Sequence, residues 1–393
     1  TMLRNVEGSD SSVQGTNDEA QVSKLSCATL GYYKDDFIKY FVRKHTRRSP
    51  LINRGYFSRY SAISKVFREF LAAAEAAGLP AQVLCLGAGF DTRWFQMLSE
   101  NGKPMYKCLE VDFIEVTQRK ASIIKREPAL SSLLIKSACV DGATLSTEGV
   151  PNSSSASSTY PTNVHIDPNH GEIFSPFYTL MAVDLRKADK LDAAMEKAGF
   201  DFSMPTLILS ECVLIYLEAS HASAVLSHLA QKFHRAAAVA IYEQVKPDDA
   251  FGRQMVLNLE LRGCPLRSLS AVPTLEAHKQ RLLDCGWSRS YAHDMDELYR
   301  LFVDPKEQAR AERLEIFDEF EEWHLIQEHY SIALGVNDAE GILKNLGLHL
   351  RDGGGGKEER GGCDRGSSGE WIPSTGGCER AGDTAGEYFN INY

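Results

Sequence analysis

From about Lys24 onward, apolar and polar positions alternate between two rhythms. Between Tyr60 and Ala77, the residues Ile63, Val66, Phe67, Phe70 and Leu71 recur at the spacing that gives a helix one apolar face. A shorter helical pattern, Asp36 to Arg43, precedes it, and Gly78-Leu79-Pro80 ends it. The period then changes. Gln82-Val83-Leu84-Cys85-Leu86 reads as a short buried strand that runs into Gly87-Ala88-Gly89-Phe90-Asp91-Thr92 and then a helix through Trp94 and Leu98. Tyr106 to Asp112 repeats the pattern, leading into a helix from Val116 to Lys125, and a third strand-like stretch lies at Ala138-Cys139-Val140. Tyr178 to Asp184, Thr206 to Ser210 and Ala237 to Glu243 follow, each before a helical pattern that ends near Ala198, Phe233 and Leu261. Strands alternating with helices of this length predict an α/β fold with a doubly wound, mostly parallel sheet.

The pattern also predicts where order stops. Residues 1–22 are rich in Ser, Asn, Gly and acids and read as a disordered leader. The polar run from Asp141 to about Gly171 reads as a surface insertion. An acidic amphipathic helix is expected from Glu312 to Tyr330, the signal fades after Leu334, and the Gly-rich stretch 336–393 reads as a disordered tail. One folded unit, 23–335, remains.

Composition narrows the function classes. With 43% hydrophobic and 24% charged residues the chain has the proportions of a folded soluble protein. Its net charge of −10 argues against nucleic acid as an obligatory partner, because phosphate binding depends on neutralising backbone charge. No apolar run approaches the roughly 20 residues that span a bilayer, and the polar start is unlike a targeting peptide, so the cytoplasm is expected. Nine cysteines without a C-x-x-C pair suit a reducing compartment and receive no chemical role. The eleven histidines offer no metal spacing; His324 and His329, on the acidic helix, are expected to be solvated.

The candidate chemistry starts at Gly87-Ala88-Gly89, where residues without side chains let the backbone approach a ligand. A dinucleotide turn would carry a third glycine, but position 92 is Thr92, and Asp91 sits where a pyrophosphate would meet negative charge. The spacing therefore favours a phosphate-free ligand with a cationic centre, such as S-adenosylmethionine. Asp112 ends the second strand at the distance expected for a ribose acceptor, Asp184 could accept from an adenine amino group, and Glu211 ends the next strand on the same crevice.

The blocks Ile52-Asn53-Arg54-Gly55-Tyr56-Phe57-Ser58-Arg59, Leu86 to Thr92, Glu110-Val111-Asp112-Phe113, Asp184-Leu185-Arg186, Glu211-Cys212-Val213-Leu214-Ile215-Tyr216 and Tyr242-Glu243-Gln244 together resemble the leucine carboxyl methyltransferase family, in order and spacing, over about Lys24 to Leu334. The resemblance implies a class I S-adenosylmethionine-dependent methyltransferase sheet with N-terminal helices and an added substrate-recognition region. It implies that Lys24, Arg59, Gly87, Asp112, Asp184, Leu185 and Glu211 contact the cofactor. It further implies methylation of the α-carboxylate of the C-terminal leucine of the protein phosphatase 2A catalytic subunit; a monomer is expected. Lys24 and Arg59 suit a carboxylate, either the cofactor's or the substrate's. A small-molecule O-methyltransferase, the branch that modifies a tRNA base, and a phosphatase-binding module without catalysis are the alternatives. Two departures stand out: the insertion after Val140 is long for the family, and a Gly-rich end replaces the short apolar finish expected after Tyr330.

Overall fold

The short apolar runs pair into one nine-stranded sheet, ordered β3-β4-β5-β2-β1-β6-β7-β9-β8 in a computed structural model that describes residues 2–138 and 164–352, with side chains from residue 10 onward. The strands are β1 (Ala81–Leu86), β2 (Tyr106–Asp112), β3 (His165–Asp167), β4 (Glu172–Phe174), β5 (Tyr178–Ala182), β6 (Thr206–Glu211), β7 (Ala236–Gln244), β8 (Arg289–Asp294) and β9 (Tyr330–Asp338). The centre, β5-β2-β1-β6-β7, is parallel, and its registers align the carboxyl ends of the strands, with Leu86 opposite Val111 and Ser210, and Glu211 opposite Tyr242. Strand order reverses between β1 and β6, so the crevice beyond their carboxyl ends is the place where such sheets bind ligands. The expected doubly wound, mostly parallel architecture is present.

Helices bury both sheet faces. They are α1 (Met2–Thr29), α2 (Pro50–Ala76), α3 (Arg93–Asn101), α4 (Ile114–Arg126), α5 (Pro128–Ala138), α6 (Ala188–Lys197), α7 (Ala219–Lys232), α8 (Ala250–Leu261), α9 (Leu275–Asp284), α10 (Met295–Leu301), α11 (Pro305–Glu312) and α12 (Phe320–Glu328). One face packs Val83, Cys85 and Leu207 against Phe57, Phe67, Phe70 and Phe95; the other packs Leu84, Leu109 and Ile208 against helices carrying Leu191, Leu226 and Leu229. Full burial on both faces explains why the central strands read as continuous apolar runs. Among the described residues no helix is long and apolar enough to cross a membrane.

Several expectations about the edges are overturned. Residues 2–22 are not a disordered leader but most of α1. Their polarity misled because the helix docks through charges and hydrogen bonds more than apolar area: Asp10 pairs with Arg186 at 2.9 Å, Asp18 with Arg119 at 2.6 Å, and Glu19 with Arg262. The Asp36–Arg43 pattern yields only a 3-10 turn, Ile38–Phe41, begun by the Asp35 carboxylate accepting from the Phe37 and Ile38 amides. The longer helix starts earlier than expected, at Pro50, whose missing amide proton suits a first helical position.

The carboxyl end differs as well. Order does not fade after Leu334. Strand β9 lies between β7 and β8, antiparallel to both, and Leu343, Leu346 and Leu348 beyond it are buried. The tail expected from residue 336 therefore starts no earlier than 353, and 353–393 lie outside the described residues. The Glu312–Tyr330 helix is broken: α11 ends at Glu312, and α12 begins at Phe320. Between them Glu315 turns inward to Arg47, Tyr32 and Asn53, a set of partners that no local pattern reveals. His329 is buried rather than solvated, with Nε2 on the Asp249 carboxylate at 2.9 Å. Of the polar insertion, residues 164–171 join the sheet edge through β3, whereas 139–163, including Cys139 and Val140, lie outside the described residues.

Candidate functional site

The carboxyl ends of β1, β2 and β6, with the residues just after β5, open into a cavity of about 410 Å³ whose far wall is α1. All seven residues singled out from the sequence, Lys24, Arg59, Gly87, Asp112, Asp184, Leu185 and Glu211, line it.

The glycine turn needs its glycines. Gly87 has φ +59°, and a Cβ there would stand 2.5 Å from Val213 Cγ2; Gly89 has φ +53°, and its Cβ would stand 2.4 Å from Asn17 Oδ1. Both positions have a left-handed backbone that disfavours a side chain, and at Gly87 a Cβ would also crowd the branched Val213, whereas at Gly89 it would meet only the movable end of Asn17. The same turn fixes Asp112, whose Oδ2 accepts from the Gly89 amide at 2.7 Å and whose Oδ1 accepts from the Phe113 amide at 2.7 Å. Burial pushes the Asp112 carboxyl up to about 6, against the lowering effect of those two amides. A carboxylate has acceptor sites beyond these two bonds, and Asp112 borders the cavity.

On the other side of the crevice the chain turns sharply after β6. Cys212 has φ 57°, unusual for a residue with a side chain, and its amide donates to the Tyr242 carbonyl at 2.8 Å. Such a conformation costs on the order of 1 kcal/mol or more and persists where the surroundings impose it. Ahead of this turn, Glu211 lies between two guanidinium groups: Arg59 Nε donates to Oε2 at 2.8 Å and Arg93 Nη2 to Oε1 at 3.0 Å. Arg93 also pairs with Asp91 at 3.2 Å. Burial opposes ionisation of Glu211, but Arg59, Arg93 and Lys24 outweigh it and hold the carboxyl well below the usual range. Lys24 is itself pulled down by burial, an effect partly offset by Glu211, and no carboxylate of the described residues lies within ion-pair distance of its ammonium. Lys24 and Arg59 thus border the cavity while Arg93 stands behind them on Glu211 and Asp91, and the ammonium and guanidinium on the wall suit a carboxylate.

Asp184, just past β5, accepts from the Arg186 amide at 3.0 Å and from Arg186 Nε at 2.8 Å. Burial raises this carboxyl, but the hydrogen bonds and charge of Arg186 bring it below its ordinary value. Arg186 also reaches Asp10, so the same side chain ties α1 to the cavity wall. Leu185 beside it is buried and apolar.

Sequence reasoning missed part of the wall. Asn17 and Gln21 of α1 border the cavity, and their Nδ2 and Oε1 atoms are buried without partners in the described residues, as is the Tyr216 hydroxyl. Asp10, Gln14, Asn17, Gln21 and Lys24 recur at helical spacing, a periodicity of polar residues that could have marked the helix. Arg93, which holds Glu211 and Asp91 from behind the wall, follows the glycine turn directly. Donors and acceptors without partners among the described residues, an acid at the ribose position and the cations Lys24 and Arg59 fit the nucleoside and amino-acid ends of S-adenosylmethionine. Among the described residues no group of side chains could hold a metal ion.

Comparison with known proteins identifies the family. The family model for leucine carboxyl methyltransferase matches residues 19–230. The leucine carboxyl methyltransferase 1 homolog of Arabidopsis thaliana is 45% identical over 344 residues, covering 87% of this chain and 94% of that protein. The leucine carboxyl methyltransferase 1 of Aspergillus fumigatus is 34% identical, covering 86% of each chain. The tRNA wybutosine-synthesizing protein 4 of Homo sapiens is 38% identical over 81% of this chain, but the match spans only 43% of that protein. The chain therefore belongs to the leucine carboxyl methyltransferase family, and its cofactor is S-adenosylmethionine.

Proposed function

We propose that this protein esterifies the α-carboxylate of the C-terminal leucine of the protein phosphatase 2A catalytic subunit, acting as a cytoplasmic monomer whose methyltransferase unit begins at α1. The observation that carries the reading is the pair of cations on the cavity wall, Lys24 and Arg59, beside the strand-end acids Asp112 and Glu211, an arrangement that suits a methyl donor bearing an amino-acid carboxylate and a ribose. The 45% identity to a leucine carboxyl methyltransferase 1 homolog across nearly its whole length supports the same substrate class.

The cofactor supplies an electrophilic methyl group on a sulfonium. Lys24 and Arg59 hold its amino-acid carboxylate, Glu211 keeps Arg59 and Arg93 in place and borders the amino group, Asp112 accepts from the ribose hydroxyls, and Asp184 with Leu185 bounds the adenine. Gly87 lets the backbone come close enough for these contacts. A terminal carboxylate with an ordinary pKa of about 3.5 is ionised at neutral pH, so the chain has no proton to remove. Its residues act by aligning the carboxylate oxygen and by excluding water from it, effects worth on the order of several kcal/mol. Helix α1 closes the far side of the cavity and contributes to that exclusion.

A second reading, methylation of a carboxylate on a modified tRNA base, draws support from the 38% identity to the human tRNA-modifying protein. The net charge of −10 weighs against it. The deciding experiment incubates the protein with methyl-labelled S-adenosylmethionine and either the phosphatase catalytic subunit, the same subunit lacking its terminal leucine, or bulk tRNA. Label transferred only to the intact subunit is expected; label on tRNA alone, or on the truncated subunit equally, would overturn the proposal.

A further inference from the structure

The Tyr242-Glu243-Gln244 block at the end of β7 does not line the cavity, yet its first residue lies directly beneath a group that does. The guanidinium carbon of Arg59 stands 4.4 Å from the centroid of the Tyr242 ring. Tyr242 is 1% exposed, and Tyr330, the first residue of β9, stacks beneath it with ring centroids 5.4 Å apart and planes 16° from parallel. Guanidinium on ring and ring on ring, the contacts run from Arg59 on the cavity wall through Tyr242 to Tyr330 at the start of β9. Among the described residues Arg59 is otherwise held at one edge, through Nε to Glu211 at 2.8 Å. A single hydrogen bond at Nε fixes the distance but leaves the planar group free to swing about that bond, whereas a ring face beneath it removes the swing.

We propose that Tyr242 is a positioning residue that sets the plane of the Arg59 guanidinium, with Tyr330 as the support that holds the Tyr242 ring, so that the free edge of Arg59 meets the carboxylate of the bound cofactor. The phenol hydroxyl is not needed for this; the aromatic face is. The inference rests on the reading that Arg59 serves the cofactor's amino-acid carboxylate. It also gives β9 a part in the site: Tyr330 sits opposite Gln244 in the antiparallel register, which brings its ring next to that of Tyr242.

The test compares two ligands by calorimetry, S-adenosylhomocysteine, which carries the amino-acid carboxylate, and 5′-methylthioadenosine, which lacks it. Tyr242→Phe keeps the face and should bind both as the unsubstituted protein does. Tyr242→Met keeps most of the volume without the face and should weaken S-adenosylhomocysteine about tenfold while leaving methylthioadenosine unchanged. Equal weakening of both ligands, the mark of a distorted cavity, would overturn the proposal, as would no weakening at all. Should Tyr242→Met not fold, Tyr330→Met carries the test: a selective loss for S-adenosylhomocysteine supports the proposal, and a loss shared by both ligands, or none, refutes it. The same pair of ligands with Arg59→Lys separates the two layers of the argument. Unchanged selectivity there removes the reading of Arg59, whereas selectivity lost in Arg59→Lys but kept in Tyr242→Met removes the role of Tyr242 alone. Neither ligand involves the methyl acceptor, so the outcome is independent of whether the phosphatase is the substrate.

Discussion

The proposed contact of Asp112 with the ribose predicts that cofactor affinity depends on pH in a window where an ordinary aspartate would be silent. Burial lifts its carboxyl to about 6 in the free protein, even though the Gly89 and Phe113 amides pull the other way. Ribose hydroxyls donate to the charged form, so binding should drag the group back toward its ordinary value of about 4. Protonation then competes with binding below pH 6. Each further pH unit should cost about a factor of ten, so affinity at pH 5 should be roughly tenfold, or about 1.4 kcal/mol, below that at pH 8. The free protein responds with the opposite sign. A carboxyl whose folded pKa is raised contributes stability that is present below its unfolded pKa and lost as pH rises through the folded one. From about pH 4 to 6 the unliganded protein should therefore lose stability from this group, with an upper bound on the order of 3 kcal/mol, since the carboxylate borders a cavity and not a packed interior. Calorimetric titration with S-adenosylhomocysteine from pH 5 to 8, in parallel with Asp112→Asn, isolates the group. The amide should bind more weakly at pH 8, by on the order of 1.5–3 kcal/mol for a lost charge-assisted hydrogen bond, and should show no slope between pH 5 and 7. A flat profile for the unsubstituted protein, or the same slope in Asp112→Asn, would refute the reasoning.

The remaining predictions concern the cation cluster and the two ends. Arg59→Lys should leave circular dichroism unchanged but lower methyl transfer tenfold or more, about 1.4 kcal/mol, because an ammonium cannot both bond Glu211 and present a planar fork; a folded variant with normal turnover contradicts the assigned role. Removing residues 1–21 deletes Asn17, Gln21 and the Asp18–Arg119 pair, and should abolish the thermal shift caused by S-adenosylhomocysteine while the sheet survives; an undiminished shift would mean that α1 contributes nothing to binding. A chain cut after Gly347 loses buried Leu348 and the Arg351 hydrogen bonds to the Arg300 and Val303 carbonyls, so its stability should drop by about 2–4 kcal/mol. A chain cut after Asp352 keeps these contacts and should melt with the full protein; equal melting of both would show that this packing is not needed.

The sequence by itself determined the central sheet and the strand-end residues of the candidate site, for a physical reason. Strands buried on both faces must be continuously apolar, and a parallel sheet places its ligands at strand ends, so β1, β2, β5, β6 and β7 and the positions Gly87, Asp112, Asp184 and Glu211 follow from local pattern and spacing. What local pattern could not carry was any element stabilised by distant partners. Helix α1 is too polar to announce itself, since Asp10, Asp18 and Glu19 find their counter-charges on Arg186, Arg119 and Arg262, which lie far along the chain. Strand β9 follows a helix cut short at Glu328, and its Gly335 weakens a strand reading; in the fold that glycine lets Trp287 approach, with a Cβ there only 3.0 Å from the indole ring. The same limit applies to charge. That Arg59 is a cation was evident, but only the tertiary structure decided that Glu211 holds one edge of it, that Tyr242 lies beneath it, and that Lys24 reaches the same cavity from a helix packed across the strand ends. Composition fixes the inventory of charges, but pairing depends on distance, and distance between residues 24, 59, 211 and 242 exists only once the chain has folded.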